Sequence, residues 1–76
     1  MLPNTLVRIG SRVTVRDQDG SVNDFTIVRL GESDIASGRI SDVSPMAAAL
    51  IGHRAGERVR VRTPDGHRSV TILGVS

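Results

Sequence analysis

The chain has 76 residues, room for one domain, and a domain of this length buries only about 60% of the surface its unfolded chain exposes. It has no cysteine and a single aromatic, Phe25, which excludes disulfides, thiolate metal sites and a core built on rings. All ten basic residues are arginine, so the sequence pI is about 11 although the formal net charge is only +2.

Eight acidic residues are interspersed with the arginines, and no run of like charge marks a solvated tail. No apolar run approaches the roughly 20 residues that span a bilayer. The start, Met1-Leu2-Pro3-Asn4, lacks the charged-then-apolar pattern of a signal peptide, so the expected compartment is the cytoplasm, with no membrane partner.

Residues 1–8 read as the remnant of an interdomain connection, because Pro3-Asn4 is a breaker pair. From Ser11 to Arg16 apolar and polar residues alternate: Val13 and Val15 face one way, Arg12, Thr14 and Arg16 the other. That is a half-buried strand. Asp17-Gln18-Asp19-Gly20 is turn chemistry, since glycine supplies positive φ and aspartate bonds the nearby backbone. Val22 to Leu30 reads as the returning strand, with Phe25 and Ile27 on its core face. Gly31 to Arg39 is polar and reads as a loop, with one helical turn near Asp34-Ile35-Ala36.

Ser44-Pro45 opens a helix: serine accepts free amide hydrogens and proline fits the first helical position. Met46 to Ile51 continue it and Gly52 closes it. About two turns long, it depends on packing, expected through Met46, Ala49 and Leu50. Ala47 and Ala48 are then expected on a smooth exposed face. Glu57 to Arg62 alternates again, with Val59 and Val61 inward and Arg58, Arg60 and Arg62 outward. Thr63-Pro64-Asp65-Gly66 is a second turn, and His67 to Val75 returns through Val70 and Ile72. The expected fold is α+β: a small antiparallel β-sheet of two hairpins with one short helix.

The residues of catalysis are missing. His53 and His67 have no second histidine or cysteine at metal-ligand spacing. Asp17 and Asp19 fit a hairpin turn better than a calcium loop, which needs several more oxygen ligands. Gly52-His53-Arg54-Ala55-Gly56 lacks the preceding strand and following helix of a phosphate loop. The chain is therefore expected not to be an enzyme and to need no cofactor. Arg58, Arg60 and Arg62, joined by Arg68 from the next strand, form the one basic stripe. It reads as a solvated sheet face, with phosphate contact as the alternative.

A set of motifs then points to a family. They are Gly31-Glu32-Ser33-Asp34-Ile35, Gly38-Arg39-Ile40-Ser41, Ser44-Pro45-Met46-Ala47-Ala48-Ala49-Leu50-Ile51-Gly52, Gly56-Glu57 and Thr63-Pro64-Asp65-Gly66. The chain resembles the C-terminal domain of the bacterial GreA/GreB transcript-cleavage factors from residue 9 to residue 76. The resemblance implies a fold like that of the FK506-binding proteins. It also implies one partner: RNA polymerase, bound through a coiled coil of its largest subunit at the rim of the secondary channel. By position the docking segment falls on Asp42, Val43, Ser44, Pro45, Met46 and Ala47. The residue before the serine, commonly acidic or asparagine in the family, is here Val43.

In the family an N-terminal coiled coil carries the acidic tip that supports RNA cleavage by the polymerase. Nothing in these residues can form that arm, so the expectation is either a fragment of a longer factor or a protein without it. Related domains occur in polymerase inhibitors as well as in cleavage factors. The expected function is polymerase docking that regulates elongation. The rival is a small arginine-rich nucleic-acid-binding β domain, with direct nucleic-acid contact weak. Isomerase activity is not expected, because those enzymes hold proline in an aromatic pocket.

Overall fold

The computed structural model describes residues 5–76. Alternating valines build the sheet. Strand β1 (Arg12–Asp17) turns through Gln18–Ser21 into the antiparallel β2 (Val22–Val28), with Val13 opposite Phe25 and Val15 opposite Asn23. After a 3-10 turn over Ile35–Ser37 comes β3 (Arg39–Ser41), then helix α1 (Pro45–Leu50). Strands β4 (Arg58–Thr63) and β5 (Gly66–Val75) pair antiparallel across the Thr63–Gly66 turn. The order across the sheet is β3-β2-β1-β5-β4, so β1 and β5 join the two halves at the centre.

The sheet is mixed, which corrects the expected all-antiparallel arrangement. Strand β3 runs parallel to β2, pairing Ile40 with Ile27 and Ser41 with Val28. A parallel neighbour requires a crossover, and residues 29–38 supply a short one around the 3-10 turn. Gly38 makes this possible. Its φ is 75°, and a Cβ there would lie 3.1 Å from the Asp24 carbonyl oxygen. Its own carbonyl accepts from the Thr26 amide at 2.8 Å, which stitches the crossover to β2.

Helix α1 leaves one edge strand, β3, and leads to the other, β4. It packs against both and closes the concave side of a half-barrel. Ala47 and Leu50, three residues apart, are its fully buried positions; Met46 and Ala49 are half-buried beside them. The expected contacts through Met46, Ala49 and Leu50 are there, but Ala47, expected on the exposed face, is buried with them. The helix meets the sheet through a methyl group, because a larger side chain would hold the two backbones apart. Ala48 alone of the pair is exposed.

The core is Val7, Val13, Val15, Ile27, Ile40, Ala47, Leu50, Val59, Val61, Val70 and Ile72, with Phe25 packed at its margin. Val7 falls within the segment expected to be a linker. Its amide donates to the His53 carbonyl at 2.8 Å, and its carbonyl accepts from Gly52 at 2.9 Å. Leu6 bridges to Arg54. The chain is thus tied to the far end of α1 from residue 6 onward, while residues 1–4 of the expected linker lie outside the described residues.

Candidate docking site

The segment between β3 and α1 carries the expected site, and its backbone is satisfied from within. The Asp42 amide donates to the Val28 carbonyl at 2.8 Å, anchoring the segment to β2. The Val43 amide donates to Ser41 Oγ at 3.1 Å, and the Ser44 amide to the Ser41 carbonyl at 2.9 Å. Ser44 then caps the helix: its Oγ accepts from the Ala47 amide at 3.3 Å and its carbonyl from Ala48 at 2.8 Å. Pro45 follows at the first helical position, where no amide hydrogen is needed. The segment is a fixed surface, so a partner would meet it without ordering it first.

On this frame Val43 and Pro45 are exposed; Val43 shows 65% of its surface. Asp42 is half-buried, and no described residue pairs with its carboxylate. Met46 is half-buried against the core. Ala47 is fully buried and cannot touch a partner, which removes it from the expected set. Because β2 and β3 are parallel, the residues that leave them emerge at the same end of the sheet. Leu30, 71% exposed, therefore leaves the sheet at the same end as Val43. In the sequence Leu30 reads as the last apolar residue of a strand; only the parallel partner reveals where it sits.

The other candidate chemistry is bound up in local structure. Asp17 Oδ1 accepts from the Gln18 amide at 2.7 Å and pairs with Arg68 at 3.0 Å. Asp19 Oδ1 accepts from the Ser21 amide and hydroxyl, which hold its carboxyl below the usual range. The Gln18 and Ser21 bonds close the turn, and Arg68 reaches Asp17 from the far strand β5. His53 Nδ1 lies 2.9 Å from Glu57 Oε1, and Glu57 Oε2 accepts from the Arg54 amide at 2.7 Å. The His53 ring and then that amide keep the Glu57 carboxyl low. Among the described residues no group of histidines and acids could hold a metal. Arg68 leaves the expected stripe: it stands opposite inward-facing Val61 and turns to Asp17.

The whole described chain matches one family model, that of "Transcription elongation factor, GreA/GreB, C-term", over residues 2–76. The chain belongs to the GreA/GreB family. It is 49% identical to the transcription elongation factor GreA of Chloroflexus aurantiacus over 73 residues, which are 95% of this chain and 46% of that protein. Among solved structures it is similar to the GreA factor homolog Gfh1 of Thermus thermophilus, at a TM-score of 0.80 and 31% identity. That match covers 95% of this chain and 49% of the other. The GreA/GreB factor of Nitrosomonas europaea superposes at 0.76 and 28% identity, over 97% of this chain and 62% of that one. This GreA/GreB chain therefore spans about half the length of the GreA relatives it matches. No helix among its described residues is long and apolar enough to cross a membrane.

Proposed function

We propose that this domain docks on bacterial RNA polymerase, at the largest-subunit coiled coil by the rim of the secondary channel, and so regulates transcript elongation. The observation that carries the reading is the Asp42–Met46 segment. Its Asp42, Val43 and Ser44 amides are satisfied internally, its Val43 and Pro45 side chains are exposed, and the Asp42 carboxylate has no partner among the described residues. A rigid apolar point beside a free carboxylate suits a helical partner with apolar and basic residues on one face.

The domain acts by contact rather than catalysis. Asp17 and Asp19 serve a turn, His53 pairs with Glu57, and the only aromatic, Phe25, packs at the core margin rather than lining a proline pocket. Occupying the docking site, it would compete with factors that promote cleavage. Membership in a family of transcription elongation factors supports polymerase as the partner and the cytoplasm as the compartment.

Binding of the chain to purified bacterial RNA polymerase tests this, with Pro45→Arg alongside. Saturable binding is expected, and the variant should weaken it at least tenfold while leaving the fold intact. An arginine at an exposed first helical position removes no buried atom. Binding that Pro45→Arg leaves unchanged would move the interface elsewhere, and absence of binding would remove polymerase as partner of this domain.

A further inference from the structure

The side of the sheet turned away from α1 is a second surface. Register places Arg16 of β1, Thr71 of β5 and Arg58 of β4 in one row across the strands. Arg60 stands opposite Ser69 and Arg62 opposite His67. All lie on the face opposite Val13, Val15, Val59 and Val61, because side chains alternate along a strand. Arg16 and Arg58 are two strand spacings apart, about 10 Å, and Arg58, Arg60 and Arg62 follow each other at about 7 Å. Between Arg16 and Arg58 runs an open groove of about 560 Å³, lined also by Ser69 and Thr71.

Charge on this face is not balanced locally. Arg12 pairs with Asp24 at 3.3 Å and Arg68 with Asp17 at 3.0 Å, but Arg16, Arg58, Arg60 and Arg62 meet no carboxylate among the described residues. The one acid in the groove wall, Asp17, is already held by Arg68 and the Gln18 amide. Arginines on β4 would be accounted for by blunting an edge strand. Arg16 would not, since β1 lies at the centre of the sheet with both neighbours paired.

We propose that this face binds the sugar–phosphate backbone of duplex nucleic acid, without reading its sequence. Guanidinium forks and hydroxyls are the groups that grip phosphate oxygens. Single-stranded binders add aromatic platforms for unstacked bases, and the chain's only aromatic, Phe25, packs against the core. An acidic protein partner would call for an apolar centre to the interface. The groove offers Ser69, Thr71 and Gln18 instead. The face does not compete with the docking segment: Arg58, Arg60 and Arg62 lie on β4, and Asp42 and Val43 follow β3, the opposite edge strand.

The test is fluorescence anisotropy of a short mixed-sequence DNA duplex with the 76-residue chain and no polymerase present, so its result is separate from that of the docking reading. Four phosphate contacts predict a log–log salt slope of about −3 to −4, a loss of about 10²-fold between 50 and 200 mM salt. Arg58→Gln with Arg60→Gln should reduce the slope by about 2, and Arg16→Gln by about 1. Arg29→Gln, in the loop after β2, should leave it unchanged. Urea midpoints equal to that of the parent confirm that the variants are folded. Binding without salt dependence, equal losses for Arg29→Gln, tighter binding to the single strand, or equal binding to polyglutamate would each overturn the proposal.

Discussion

Asp24 projects from β2 onto the arginine face and carries two bonds there. Thr14 Oγ1 donates to its Oδ1 at 2.5 Å, and Arg12 Nη2 reaches its Oδ2 at 3.3 Å. The hydroxyl first, then the guanidinium, hold its carboxyl below the usual aspartate range. Asp19 is lowered by Ser21 and Glu57 by His53, so three carboxylates in separate turns and ladders shift in one direction. A lowered folded value means that the folded state binds fewer protons than the unfolded chain. The stabilisation is complete above the ordinary carboxylate range and is lost as pH falls through the folded values. The urea midpoint should therefore hold from pH 7 to about 5 and decline toward pH 3. Asp24→Asn, which cannot titrate, should flatten part of that decline. An acid limb of the same steepness in the variant would mean that Asp24 is equally at ease in the unfolded chain.

Among the elements, what could be read in advance followed from periodicity. Val13/Val15 and Val59/Val61 alternate with arginine, and each pair is followed by a turn with glycine, so β1, β4 and their partners stand where the pattern puts them. Strand β3 has three residues, too few to alternate, and its parallel pairing with β2 depends on contacts distant in sequence. The helix boundaries were legible because Ser44 and Pro45 are local signals, and so was packing through Met46, Ala49 and Leu50, but the burial of Ala47 was not. With alanine at three of its six positions the helix has no sharp apolar stripe, and the sheet decides that Ala47 faces inward. The crossover to β3 depends on Gly38, for which the polar loop gave no positional signal. Gly38→Ala would force a left-handed conformation costing about 1–2 kcal/mol and press a methyl toward the Asp24 carbonyl. The expected result is a lower urea midpoint together with faster hydrogen exchange at the Thr26 amide, which bonds Gly38. Exchange loss spread evenly over the sheet would instead mean that β3 unfolds only with the whole domain.

For the molecule as a whole, the thin core makes every buried methyl count. A domain of this size has roughly 4–11 kcal/mol of stability, at about 0.05–0.15 kcal/mol per residue. The helix has six residues and no stability of its own, so its far end must be held by something outside it. Val7 does this: it is 1% exposed and joined through its backbone to Gly52 and His53, just past α1. Val7→Ala removes two methylene equivalents, about 1.6 kcal/mol by transfer, and leaves a cavity in the core that raises the cost to about 2–3 kcal/mol. That is about a fifth to three-quarters of the total. Urea unfolding should report the loss with an unchanged m-value, because the surface exposed on unfolding is nearly the same. The loss would also reach the docking segment, since α1 is fixed at one end by Ser44 and at the other by Val7. A change below about 0.5 kcal/mol, the size expected of an ordinary surface substitution, would return residues 5–8 to the status of a linker and leave the helix held by the sheet alone.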